Sequence, residues 1–349
     1  MKEVTMRTIK PIKLSSNKTN TTEKLTSAEM GKLWAAYMGN SMGKCILSYY
    51  LQHVEDEDIK TLLENAVKLS EEFMKTIKEV FTKENFPIPK GFSQEDVNLD
   101  VPRLFEDEFY VHYLKYIAKA GMSIYNIAIP LVYRKDVKEF FRYCMDSTMD
   151  LMDQIKEILM NKGLIIKPPV IPVPEKVEFV HQDFLNGFFG HVRPMHALEI
   201  AHLYDVIENN MTSKALIMAF AQVAEDEKIR KLFERGKDLT KTNTENYIKK
   251  LHDEDLPAPS FLDDLVTTST ISPFSDKLML FHKMDMFTMK IRSFGNSVAV
   301  NGRHDLGLLY AKSMIRNADF VQDAVKIMIE KGWFEQAPQA AVRDKLTSD

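Results

Sequence analysis

The chain is poor in residues that break helices, with 13 glycines and 14 prolines in 349 positions. A sheet-rich fold with many tight turns needs more of both, so the composition points to long helices joined by few connections. Cysteine is scarcer still: Cys45 and Cys144 are the only two. Two thiols make neither a disulfide framework nor a cysteine-rich metal module, and small buried packing positions are the role expected of them. No apolar run approaches the roughly 20 residues that span a bilayer, and the first residues lack the apolar segment of a cleavable signal. A cytoplasmic protein with no membrane partner is expected. Signatures of phosphate and dithiol chemistry are missing as well, since the chain holds no GxxxxGK[ST] and no Cys-x-x-Cys.

Charge is nearly balanced, at a formal −4. Its distribution is uneven, because Lys2, Arg7, Lys10, Lys13, Lys18 and Lys24 face only Glu3 and Glu23 within residues 1–24, a net +4 that leaves −8 for the rest. Residues 1–24 read as a disordered basic arm, and a body of net negative charge is not suited to nucleic acid.

What the chain does contain is itself, twice. The stretch from Thr26 to Gly163 recurs from His196 to Gly332. Glu29 matches Glu199, Lys44 matches Lys214, Gln52 matches Gln222, and the run Glu55-Asp56-Glu57 matches Glu225-Asp226-Glu227, all at an offset of 170. One residue is lost after Pro87 and Pro89, which match Pro257 and Pro259, and the offset becomes 169. Phe105 then meets Phe274, Arg134 meets Arg303, Asp150 meets Asp319, and Lys162-Gly163 meets Lys331-Gly332. A period this long suits two duplicated domains rather than a solenoid.

Within each copy the apolar spacing is helical. Thr26 followed by Glu29 is a capping box with Leu25 as a staple, and the stripe Met30, Leu33, Trp34, Tyr37, Met38, Ile46 has the periodicity of a core face. The first helix is predicted to end near His53. The acidic run at 55–57 stabilises the start of a second helix ending near Lys83. A third is predicted from Leu104 to Tyr133, with Pro130 near its end, and a fourth from Asp136, a natural cap, to Gly163. The connection between the second and third helices, about twenty residues, is long enough to cross the bundle as in ferritin-like topology. Lys167-Pro168-Pro169-Val170-Ile171-Pro172-Val173-Pro174 is a stiff spacer, and the Phe179, Phe184, Phe188 and Phe189 that follow are expected to pack against a bundle or between the two.

A ferritin-like bundle raises the question of iron, which takes a carboxylate from each of two helices and Glu-x-x-His pairs from the others. The chain has one such spacing, Glu199-Ile200-Ala201-His202, whose first-copy counterpart has Glu29 and Lys32. Glu199 and His202 are therefore weak metal candidates and the only ones. His112 with Glu108, His282 with Asp285, and His181 with Asp183 lack counterparts in the other copy. Gly31, Gly39 and Gly43 line one side of the first helix opposite Ala201, Asn209 and Ser213; close helix packing is the simpler reading and a ligand slot the sharper one. Lys44 with Lys214 and Asp150 with Asp319 recur near helix middles, as partners or as surface residues.

One family resembles the whole pattern. Leu25-Thr26-Ser27-Ala28-Glu29-Met30 with Leu33-Trp34, Gln52-His53-Val54-Glu55-Asp56, Phe86-Pro87-Ile88-Pro89, Asp96-Val97-Asn98 and Pro102-Arg103-Leu104-Phe105 carry the resemblance, together with Ser272-Pro273-Phe274-Ser275-Asp276 and Lys331-Gly332-Trp333. It is similar to an uncharacterised, duplicated ferritin-like group of Bacillus-type spore formers related to the spore coat protein F group. The resemblance implies the fold and a spore or coat association, and it carries over no catalytic residue.

The expectation is thus an all-α protein of two tandem ferritin-like four-helix bundles: a basic arm at 1–24, bundles at 25–164 and 194–334, a linker at 165–193 and a tail at 335–349. A non-catalytic structural or interaction protein, cytoplasmic and spore associated, with protein partners or self-association and no cofactor, is expected. A small-ligand or metal-binding ferritin-like protein with oxidase-type activity is the alternative. Residues 25–164 are expected to fold alone, Glu199→Ala to cost no more than about 1 kcal/mol, and Gly43→Leu to overpack the bundle.

Overall fold

In the computed structural model residues 23–165, 167–300 and 302–343 are described, and they hold eight α-helices. The first copy supplies α1 (Ser27–His53), α2 (Glu57–Lys83), α3 (Asp107–Ala128) and α4 (Lys135–Asn161). The second supplies α5 (Ala197–Val223), α6 (Glu227–His252), α7 (Asp276–Val300) and α8 (His304–Glu330). The expected basic arm falls almost wholly outside the described residues.

The helix ends follow from side chains written into the repeat. Thr26 and Glu29 close the capping box of α1, and His196 takes the place of Thr26 before α5, accepting from the Glu199 amide through its imidazole. Asp56 caps α2 by accepting from the Asp58 and Ile59 amides, and Asp226 does the same for α6. Along α2, Ile59, Leu62, Leu63, Ala66, Phe73, Ile77 and Val80 recur at the three-to-four spacing of a buried face.

Contacts between helix ends give the chain direction. Asp107, at the start of α3, accepts from the Glu55 and Asp56 amides at the start of α2, and Lys162 at the end of α4 pairs with Asp56. At the opposite end, Glu29 of α1 accepts from the Tyr133 and Arg134 amides before α4, and Arg134 reaches Glu84 after α2. Helices α2 and α3 therefore run parallel, so the connection between them traverses the length of the bundle, as its length predicts. The second copy repeats each tie with Asp276, Lys331, Glu199, Arg303 and Glu254.

The two crossing connections meet. Val97 bridges Phe274 and Phe105 bridges Val266, both antiparallel. Four backbone bonds accompany them: Asn98 to Pro273, Thr267 to Leu104, Ser275 to Asp96, and Glu106 to Leu265, amide to carbonyl in each case. Every one of these maps onto another when the copies are exchanged at the offset of 169, so the contact is isologous, as in a two-fold dimer. Tyr113 and His282 occupy equivalent positions and share a hydrogen bond of 2.9 Å, which places them on the pseudo-two-fold axis. One hydrophobic cluster runs through the contact, from Tyr49 and Phe105 of the first copy to Phe220 and Phe274 of the second. The copies share a core, which alters the expectation that residues 25–164 stand alone.

Three local expectations need correction. The third helix starts at Asp107, not Leu104, because Leu104 and Phe105 give their backbone to the other copy; it ends at Ala128, where Pro130 enforces a single 3-10 turn over Ile129–Leu131. Of the linker aromatics only Phe184 packs, with the Arg193 guanidinium 4.0 Å from its ring centroid and His196 stacked on it. Phe179 and Phe189 are 85% and 88% exposed, and Phe188 is also exposed.

The third concerns the glycine side of α1. A methyl group added at Gly31, Gly39 or Gly43 would meet no atom within 4 Å, so no close approach requires glycine there. Gly43→Ala is expected to stabilise the protein by about 0.5–1 kcal/mol in a urea melt, through the lower chain entropy of alanine in a helix. A loss of stability would restore the close-packing reading.

Candidate functional site

The two bundles differ most at their centres. In the first copy the interior is apolar, built on Phe73, Tyr125, Phe140, Phe141 and Cys144. In the second, Asn243 replaces Phe73, Ser313 replaces Cys144, Lys283 replaces Leu114 and Lys290 replaces Gly121, and all four replacements are buried. Ser213, Thr240 and Thr244 are buried beside them.

Lys283 and Lys290 lie seven residues apart on α7, hence on one helix face. The Lys283 Nζ donates to the Ser213 carbonyl at 3.0 Å and meets its hydroxyl at 2.8 Å, and the Lys290 Nζ donates to the Thr240 hydroxyl at 3.2 Å. Both amines lie over the Phe287 ring, 5.5 and 4.2 Å from its centroid. No carboxylate among the described residues lies within ion-pair distance of either amine. Burial holds both well below the ordinary ammonium range, and for Lys283 the neighbouring Lys290 adds to the effect. Charge in such an interior is costly, which favours the neutral amine, able to donate hydrogen bonds and to offer a lone pair. On the axis, burial pushes the His282 imidazole down to about 3, with the Lys283 amine as a lesser cause.

Glu199 and His202, the metal candidates, are not brought together. Glu199 is buried and both its oxygens are committed: to the His196, Gly302 and Arg303 amides at 2.9–3.0 Å and to Nη1 and Nη2 of Arg193 at 2.8 Å each. Burial by itself would raise its pKa; the Arg193 guanidinium and these amides outweigh that and hold it below the ordinary carboxylate range. Glu29 performs the same task in the first copy with the Thr26, Tyr133 and Arg134 amides. The repeated glutamate is a tie between two helix starts, and a carboxylate already holding five N–H donors does not fit iron. His202 is half-buried, and no group of three or more His, Cys, Asp or Glu side chains able to hold a metal occurs among the described residues. Glu199→Ala is expected to cost about 3 kcal/mol in a chemical melt, beyond the ordinary cap value anticipated above, because buried amides and a guanidinium lose their acceptor. A loss near that cap value would return Glu199 to the role of a simple first-turn residue.

The remaining candidates have separate partners. His112 lies 3.5 Å from Glu108, Asp183 takes His191 rather than His181, and His282 takes Tyr113. Lys44 pairs with Glu71 and Lys214 with Asp263, while Asp150 and Asp319 are exposed. Cys45 and Cys144 are buried free thiols, with burial pushing Cys45 up to about 11. The small tail acts at its start, where the Glu335 carboxylate accepts from the Lys90 and Gly91 amides. The interior lysines escape a search for shared features because they break the repeat: Leu114 and Gly121 stand opposite them. A charge at an apolar register position of one copy is the signal that identifies them.

Comparison with known proteins agrees with the duplication. Among curated proteins none matches the chain. A solved structure, that of a candidate spore coat protein from Bacillus halodurans C-125, is similar to part of it at 16% identity and a TM-score of 0.38, covering 43% of this chain and 97% of that one. One family model matches twice, over residues 14–177 and 183–346, two stretches that begin 169 residues apart. The chain therefore belongs to the DUF3231 family, proteins of unknown function, and carries two consecutive copies of its domain.

Proposed function

We propose that the protein works through contacts with other proteins, as a structural or interaction component associated with the spore. The observation that carries this reading is the segment joining the copies. Val170, Val173, Val177 and Phe179 are each at least 85% exposed, on a stretch without helix or strand whose four prolines keep it extended. Large apolar side chains held in water along an extended backbone are the makings of a contact with another chain. The spore association rests on the sequence resemblance described above, and the ferritin-like scaffold would here serve as a rigid body rather than an iron centre.

The test follows a tagged protein through vegetative growth and sporulation beside a Phe179→Ser/Phe189→Ser variant. Wild type is expected to move into the spore fraction and the variant to stay behind, with unchanged circular dichroism and melting. A variant that distributes like wild type would remove the linker from the reading, and a wild type that never enters the spore would remove the spore.

A further inference from the structure

The polar interior of the second copy opens a possibility beyond protein contacts. We propose that Lys290 is a nucleophilic amine that forms a reversible imine with a small carbonyl compound bearing a carboxylate, admitted through the cavity between α3, α5 and α7. That cavity has a volume of about 130 Å³, and Lys290 contributes to its wall with Tyr116, Lys119, Asp205, Asn209 and Arg292. At about 30 Å³ per water in the liquid, it suits a compound the size of a few waters, such as a two- or three-carbon oxo acid.

The hydrogen bonds around Lys290 leave its lone pair available. The Thr240 hydroxyl gives its own hydrogen to the Gly236 carbonyl at 2.8 Å, so toward Lys290 it can only accept. A neutral amine has two hydrogens and one lone pair, and that single contact uses one hydrogen. Lys283 differs: its amine is occupied by the Ser213 carbonyl and hydroxyl and by the Met286 sulfur at 3.4 Å, and it does not line the cavity. The rim supplies the charge for a carboxylate. Arg292 is exposed, its guanidinium contacts the Met289 sulfur at 3.1 Å, and it forms no ion pair with a described residue, its charge reaching the Asp285 carboxyl only at longer range; Lys119, by contrast, is taken by Asp205 and Glu208. Burial shifts the Lys290 amine toward its unprotonated form relative to a surface lysine.

The chemistry balances without a further reactant. The Lys290 nitrogen attacks the carbonyl carbon, a C–N bond forms, the carbonyl oxygen leaves as water with both amine hydrogens, and hydrolysis reverses the sequence. No turnover is needed, so the site would make an interaction protein responsive to a metabolite.

Reductive trapping tests this on the full chain. The folded protein is incubated near neutral pH with glyoxylate and cyanoborohydride, and labelled lysines are located by peptide mass spectrometry. Labelling at Lys290 is expected to exceed the average surface lysine by about tenfold or more, because its neutral fraction is far larger. Labelling of Lys290 no faster than the surface average overturns the proposal. Equal labelling of Lys283 also overturns it, since Lys283 does not line the cavity. Arg292→Leu, a rim substitution that leaves the core intact, is expected to slow glyoxylate severalfold and glycolaldehyde not at all; equal effects on both remove the carboxylate from the assignment. Lys290→Met, checked by circular dichroism, is expected to lose the fast adduct.

Discussion

Two polypeptides covering residues 23–165 and 167–343 are expected to need each other. Mixed, they should form a one-to-one complex with a single cooperative melt; the first alone should be largely unfolded or self-associated. Separation strips cover from Tyr49, packed on Phe274 at 5.2 Å, from Phe92, packed on Phe281 at 5.1 Å, and from Tyr113, hydrogen-bonded to His282. It also breaks the four backbone bonds between the crossing connections. At about 1.5–3 kcal/mol for each large side chain returned to water, the loss is comparable with the entire net stability of a domain, about 5–15 kcal/mol.

Self-pairing should lose to the native pairing. Lys115 and Lys119 of the first copy meet Glu208 and Asp205 of the second, whereas in a pair of first copies they would face the equivalent Met38 and Ala35. Two ammonium groups would then lie against apolar surface without counter-charge. Light scattering with circular dichroism on each half and on the mixture measures the outcome. A monomeric first half melting cooperatively near the intact protein would show that the shared cluster contributes little.

The second large effect concerns the buried amines. Lys283→Met and Lys290→Met keep side-chain length, remove a polar group from the core, and are each expected to stabilise the protein at neutral pH by about 1–3 kcal/mol. The sign of the pH dependence follows from proton counts. The unfolded chain holds a proton on each lysine up to the ordinary value of 10.5, while the folded chain releases it well below that. The unfolded state binds more protons throughout this window, so stability rises as pH rises toward 10.5 and levels off above it. His282 acts in the same sense at lower pH, between about 3 folded and 6.5 unfolded. At pH 5 it has withdrawn about 2 kcal/mol relative to neutral pH. Urea melts from pH 5 to pH 10 should show wild type gaining on the double methionine variant as pH rises above neutral. A constant difference between the two, or a variant less stable at pH 7, would mean that the amines are charged and compensated in the folded protein.

Most of the secondary structure is legible in the chain because it is enforced locally. Thr26 and Glu29 cap α1, Asp56 and Asp226 cap α2 and α6, and apolar side chains at three- and four-residue spacing bury one face of each helix, all within a few residues of the backbone they act on. The offset between the copies and the length of the crossing connection likewise follow from residue order alone, and they imply two bundles with a traversing link.

What residue order leaves open is settled between elements far apart in the chain. Glu29 and Glu199 look like ordinary cap residues until α4 and α8 arrive with amides that have no acceptor of their own. The boundary of α3 depends on Leu104 and Phe105 pairing with residues some 160 positions away. Lys283 and Lys290 carry the same symbol as any surface lysine, and only burial beside Phe287, without a carboxylate, shifts them toward the neutral amine. Local pattern determined the helices and their duplication, because capping and periodicity act over one or two turns. Tertiary structure alone decided that the copies share one core and that the lysines of one lie buried without a counter-charge, because desolvation depends on what surrounds a group and not on its neighbours in sequence.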